Sequence, residues 1–154
     1  LMLTRTRRFT LLAALAAAAV AYADGAPAPI TPDAFLALPR SGDHAPFVLD
    51  VRTPEEYVAG HVPGAVNIPH DQVAARLAEV PKDKDVVLYC RSGRRADMAA
   101  EVLAGNGYPS LRHLEGDMVA WQAQQRPVEV PRDPAACAAA LSAGESQAAA
   151  CQPK

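Results

Sequence analysis

Val86-Val87-Leu88-Tyr89-Cys90-Arg91-Ser92-Gly93-Arg94-Arg95 changes character halfway along. Its first half is an unbroken apolar run of strand formers, the composition of a strand buried in a parallel sheet. Its second half is a polar loop of three arginines, a serine and a glycine. Ala96, Met98, Ala99, Val102 and Leu103 then return at helical spacing until Gly105 and Gly107, which act as a helix stop.

The same alternation extends upstream. Phe47-Val48-Leu49-Asp50-Val51 is a second compact apolar run, and Thr53-Pro54-Glu55-Glu56 follows it directly. Thr53 with Glu56 three residues on is a capping box, and Pro54 suits the first helical position. A helix therefore begins there, with Gly60 as its end. Ala65 to Ile68 makes a short strand between Pro63-Gly64 and Pro69, and Asp71 is expected to cap a helix carrying Val73, Leu77 and Val80 on one face. Downstream, Ser110 to Leu114 reads as a strand, and a last helix carries Met118, Val119 and the only tryptophan, Trp121, which packs it on the sheet. Near the start, an Ala- and Pro-rich lead-in from Asp24 to Pro29 precedes Thr31-Pro32, which opens a short helix through Leu38. Strands alternating with helices define an α/β fold with a mainly parallel sheet.

A chain of 154 residues, 50% hydrophobic, holds one sizeable core and hence one domain. Residues 1–23 stand apart from it. Arg5, Arg7 and Arg8 precede an apolar run from Phe9 to Ala23 that ends in Ala21-Tyr22-Ala23, the plan of a cleavable signal peptide. The run falls short of the ~20 strongly apolar residues of a spanning helix. A periplasmic or secreted protein is expected, with no membrane attachment after cleavage. Cleavage takes the formal charge from −2 to −5, leaving 12 basic against 17 acidic side chains. That balance argues against nucleic-acid binding.

Ligands of open parallel sheets collect at the carboxyl ends of strands, where Cys90 lies. Successive backbone N–H groups in its loop can form an anion-binding nest, and the helix after it adds a positive end. Arginines and a helix start favour the thiolate over the thiol. Cys90 is the candidate nucleophile, and Arg91, Ser92, Gly93, Arg94 and Arg95 are the candidate substrate-binding residues.

Three linked segments, Leu49-Asp50-Val51-Arg52-Thr53-Pro54-Glu55-Glu56-Tyr57, Gly60-His61-Val62-Pro63-Gly64-Ala65-Val66-Asn67-Ile68-Pro69 and Tyr89-Cys90-Arg91-Ser92-Gly93-Arg94-Arg95, resemble the rhodanese sulfurtransferase family in order and spacing. The resemblance covers about residues 31–125. It implies a single rhodanese-like domain with a five-stranded parallel sheet flanked by helices, and a Cys90 persulfide held by donors from Arg91 to Arg95. It further implies sulfur transfer from an anion such as thiosulfate to cyanide or a thiol; a monomer without a cofactor is expected. In the family a Gly-Gly pair often precedes the last helix, where this chain has Gly116-Asp117. Two rivals share parts of this picture. A cysteine-dependent phosphatase or arsenate reductase has Cys-x5-Arg, but the matching position here is Ala96 and Arg95 comes one residue early. Noncatalytic rhodanese-like binding modules commonly lack the cysteine that this chain retains.

No Cys-x-x-Cys or close His/Cys pairing gives metal-ligand spacing, so no metal site is expected. His61 is read as orienting its turn, while His44, His70 and His113 are scattered. Asp50 and Arg52 flank a strand end, where support of the active loop and ordinary surface pairing are equally open. The remaining segment, 126–154, is an Ala-rich tail containing Cys137 and Cys151. On one continuous helix these would stand about 21 Å apart, whereas a disulfide needs Cα atoms within about 7 Å. Ser142-Ala143-Gly144 offers a turn between a helix over Pro134 to Leu141 and another over Glu145 to Ala150. A disulfide-closed helical hairpin is expected, with idle thiols in a disordered tail or pairing between chains as the alternatives.

Overall fold

The computed structural model describes residues 26–146 and 148–153; the expected signal peptide lies outside them. Five parallel strands form one sheet: β1 (Ala28–Ile30), β2 (Phe47–Asp50), β3 (Val66–Asn67), β4 (Val86–Tyr89) and β5 (Leu111–Leu114), in the order β1-β5-β4-β2-β3. All four residues of β4 are 0% exposed, which marks it as the central strand. Five α-helices flank the sheet: α1 (Pro32–Leu36), α2 (Pro54–Val58), α3 (Arg94–Gly105), α4 (Asp117–Ala123) and α5 (Pro134–Ser142).

Alternation along the strands divides the interior in two. Val48, Val87 and Tyr89 point to one face, where they meet Phe35 of α1, Tyr57 of α2, Met118 and Trp121 of α4, and Cys137 and Leu141 of α5. Leu49, Val86 and Leu88 point to the other, against Ala96, Ala99, Ala100 and Leu103 of α3. Small residues on α3 let that helix lie close to the sheet. Trp121 packs edge-to-face on Phe35, with ring centroids 5.8 Å apart, and its Nε1–H donates to Pro127 O at 2.8 Å.

Local signals act as their chemistry requires. Thr31 caps α1 through Ala34 N–H, and the Thr53 capping box is complete, Glu56 N–H donating to Thr53 Oγ1 and Thr53 N–H to Glu56 Oε2. Three expectations need correction. The helix foreseen after Asp71 is two 3-10 turns, Val73–Ala75 and Leu77–Glu79, broken where Arg76 takes φ −121° and ψ 25°. Pro81 causes part of this, because it has no N–H to offer the Leu77 carbonyl in an α-helix, and the Tyr108 hydroxyl holds the second turn from outside, 2.5 Å from Leu77 O and 3.0 Å from Val80 O. In the lead-in, residues 28–30 form the edge strand β1 rather than coil, its Ile30 carbonyl accepting from Glu115 N–H. Pro29 is tolerated there because an edge position leaves one side of the backbone unpaired.

The tail is the third correction. A disulfide joins Cys137 to Cys151 within the chain, Cα atoms 4.8 Å apart, but the return limb is no second α-helix. It is a 3-10 turn at Ala149–Cys151, followed by Gln152, whose carbonyl accepts from Arg132 N–H at 2.9 Å. That extended pairing competes with helix formation. Asp133 caps α5 through Ala136 N–H, and Cys137 and Leu141 of that helix are fully buried, so the tail completes one side of the core.

Candidate active site

Cys90 follows β4 directly and is 1% exposed. The chain then turns through Gly93 at φ +105°, which directs the Gly93 N–H to Cys90 Sγ at 3.0 Å. Glycine is required twice over: a Cβ there would meet Asp117 Oδ2 at 3.3 Å and His113 Cε1 at 3.5 Å, in a backbone region that other residues avoid. Gly93 is also the N-cap of α3, so the start of that helix faces the sulfur.

Of the five loop residues named from the sequence, Gly93 and Arg95 are brought to the thiol. Arg95 forms two hydrogen bonds with Glu56, of 2.6 and 3.0 Å. Hydrogen bonding to Glu56 raises the Arg95 pKa, and the neighbouring Cys90 acts in the same direction. In return, Arg95 holds the Glu56 carboxyl down to about 2. Arg91, Ser92 and Arg94 turn their side chains to solvent. Arg91 lines an open pocket of about 330 Å³ beside the loop, with Arg52, Glu56, Val119 and Gln122.

Sequence reasoning passed over the residues beneath the loop. Asp117, 4% exposed, accepts from Cys90 N–H on Oδ1 at 2.7 Å, while Met118 N–H and Val119 N–H donate to Cys90 O and Arg91 O at 3.1 Å each. Three hydrogen bonds thus fasten the loop to the start of α4. Asp117 holds φ +53° directly after Gly116 at φ +73°, a conformation costing on the order of 1 kcal/mol for a residue with a Cβ. His113 of β5 faces both Asp117 oxygens through Nε2, at 3.1 and 3.2 Å, and Asp97 of α3 through Nδ1 at 3.3 Å. Hydrogen bonding to Asp117 raises the His113 pKa. The departure from Gly-Gly at Gly116-Asp117 was the one available signal for this arrangement.

A second network braces the loop from β2. Asp50 and Arg52, 0% and 4% exposed, form a buried pair rather than a surface one, with Arg52 Nη2 2.6 Å from Asp50 Oδ2. Burial is the largest single influence and opposes the Arg52 charge, but hydrogen bonding to Asp50, the Asp50 charge and the interaction with Tyr89 together outweigh it and raise the pKa. Tyr89, the residue before the thiol, donates its hydroxyl to Asp50 Oδ2 at 2.7 Å and accepts from Val62 N–H at 3.0 Å. Asn67 donates to the carbonyls of Asp50 and Arg52 at 2.9 Å each. His61 is buried, stacked on Tyr57 at 3.7 Å, with Nδ1 3.1 Å from Tyr57 O. It orients its turn. Among the described residues no group of three or more His, Cys, Asp or Glu side chains is arranged to hold a metal, and no helix is long and apolar enough to cross a membrane.

A parallel α/β domain with a thiol cradled at the carboxyl end of its central strand is the class that fold and site define. The chain belongs to the rhodanese-like domain family, whose match covers residues 31–124. It is 39% identical over 85 residues to a sulfurtransferase of Allochromatium vinosum, covering 55% of this chain and 79% of that one. It is 41% identical over 70 residues to the thiosulfate sulfurtransferase PspE of Escherichia coli, covering 44% and 67%. The chain spans 52%, 65% and 43% of the length of three other curated relatives. Among solved structures, a rhodanese-related protein of Thermoplasma volcanium superposes with a TM-score of 0.57 at 26% identity, covering 66% of this chain and 96% of that one.

Proposed function

We propose that this chain is an exported sulfurtransferase in which Cys90 takes a sulfane sulfur from thiosulfate or a similar anion and yields it to cyanide or a thiol. The observation that carries the reading is the Gly93 N–H aimed at Cys90 Sγ at 3.0 Å, at the start of α3. A donor in that position stabilises negative charge on sulfur as it develops. The family match and the sulfurtransferase names of the Allochromatium and Escherichia relatives support the reaction class. The leader pattern of residues 1–23 supports a periplasmic or secreted location.

The reaction runs in two halves. The Cys90 thiolate attacks the outer sulfur of thiosulfate, the S–S bond of the donor breaks, and sulfite departs with the bonding electron pair. The persulfide anion that remains has its outer sulfur in the nest of loop donors, with Arg95 as the adjacent cation. Cyanide then attacks that outer sulfur, thiocyanate leaves, and the thiolate is regenerated. A thiol acceptor, after losing its proton, takes the sulfur in the same way. The pocket of about 330 Å³ bordered by Arg91 gives the second substrate room beside the loop.

Mass spectrometry of the protein after thiosulfate tests the proposal. One added sulfur is expected on the peptide containing Cys90 and none in Cys90→Ser, because a serine hydroxyl is hardly ionised near neutrality and forms no persulfide. Sulfur gain or sulfurtransferase activity retained in Cys90→Ser would refute it.

A further inference from the structure

Asp117 stands in a left-handed backbone position that glycine would occupy without strain, and it is almost fully buried against the loop that carries the thiol. Strain of that kind persists only where the surroundings over-determine it. Here the carboxylate binds Cys90 N–H at 2.7 Å and lies against Gly93, so a negative charge is built into the floor of a site that handles anions. Its counter-charge comes from His113, which faces both carboxylate oxygens.

We propose that Asp117 and His113 are a positioning pair for sulfur transfer, Asp117 fixing the Cys90 backbone and protonated His113 offsetting the carboxylate so that an anionic donor can approach. The inference rests on the persulfide reading of Cys90. The charged and titratable groups facing His113 are Asp117 of α4 and Asp97 of α3, and its ring lies beside Gly93 of the loop that carries Cys90. Its strand partners, Pro29 of β1 and Leu88 of β4, carry no charge. Loss of the His113 proton leaves both carboxylates and adds one unit of negative charge to the site. Attraction for a dianion falls accordingly, and so does stabilisation of the thiolate. His113 is protonated at low pH and up to its raised pKa, so its assistance belongs to the acid side and disappears as pH rises.

The test is the second-order rate of sulfur gain at Cys90 from thiosulfate, followed by quenched intact mass from about pH 6 to about pH 9, the range in which a histidine pair titrates. Thiosulfate stays a dianion throughout. Wild type should exceed His113→Gln on the order of tenfold at the acid end, as expected for one unit charge close to the sulfur. The two should converge at the alkaline end. In an Asp117→Asn background, which keeps an oxygen for Cys90 N–H and removes the charge, the pH at which the His113→Gln deficit disappears should move down, because the imidazolium loses the carboxylate that holds its proton. Asp117→Gly, which relaxes the backbone, serves as a second background with the same expectation.

A deficit in His113→Gln that is constant across the range marks packing alone and overturns the proposal. So does a pH-dependent deficit whose midpoint is the same with and without the Asp117 charge. Should wild type gain sulfur while the variants match it throughout, the pair's role falls and the persulfide reading stands. Should wild type gain no sulfur at any pH, that reading fails and this inference with it.

Discussion

Glu56 of α2 holds Arg95 of α3 through two hydrogen bonds, of 2.6 and 3.0 Å, while the same carboxylate closes its own helix by accepting from Thr53 N–H at 3.1 Å. One acid therefore joins a capping box, set by local sequence, to the cation beside the thiol. The guanidinium is pinned between two helix starts, where it keeps a fixed place relative to Cys90.

Arg95→Ala is expected to lower kcat/KM for thiosulfate about tenfold or more, by removing fixed positive charge from the transition state. Glu56→Gln preserves the cap and should have a smaller effect on kcat/KM, but it should lower Tm near neutrality, because the charge paired with Arg95 is lost. Steady-state kinetics at low ionic strength decide this. Wild-type kcat/KM in Arg95→Ala would show that backbone donors alone bind the anion. Since the folded Glu56 pKa is depressed, its contribution to stability is complete above 4.5 and is lost as pH falls through about 2.

The buried Asp50–Arg52 pair predicts a large cost for removing either charge alone. Asp50→Asn or Arg52→Met strands one buried charge and should destabilise by about 3–5 kcal/mol. Tyr89→Phe removes one buried hydroxyl and should cost about 1–3 kcal/mol. Urea denaturation measures both. Values below 1 kcal/mol for the charge variants, on the order of a surface pair, would mean that the network contributes little.

Thiol counting on denatured, unreduced protein from an oxidising compartment should find one free thiol per chain, that of Cys90, because Cys137 and Cys151 are paired. Replacing both paired cysteines by serine should lower stability by about 3 kcal/mol in the chain-entropy model. The loss falls on the core, since α5 buries Leu141 beside Cys137. A count of three free thiols, or a dimer that collapses on reduction, would contradict the pairing.

Burial lowers the pKa of His61 from its ordinary 6.5, so the folded state favours the neutral ring. The unfolded chain binds this proton first as pH falls. The His61 contribution is therefore complete above 6.5 and declines below it until the folded value is passed. His61→Phe keeps a ring on Tyr57, and its stability relative to wild type should improve as pH drops below that point. Denaturation midpoints at several pH values check this, and a difference independent of pH would remove the titration argument.

Strand β4, its polar loop and helix α3 were legible in the sequence because each rests on local chemistry: an apolar run, a glycine that accepts φ +105°, and helical spacing of small residues. The Thr53–Glu56 box and the turn that lets Cys151 return to Cys137 were legible for the same reason. Other features depended on partners far along the chain. Residues 28–30 are a strand because β5 offers them a free edge, and the segment after Asp71 is held in 3-10 turns with help from a hydroxyl at Tyr108. Asp117 reaches Cys90 across 27 residues and Glu56 reaches Arg95 across 39. The sequence by itself determined the thiol, its loop and the parallel α/β class, whereas only the tertiary structure decided which charges surround the sulfur. Hydrogen-bond partners of buried charges are selected by where packed elements meet, and periodicity in one segment carries no record of that meeting.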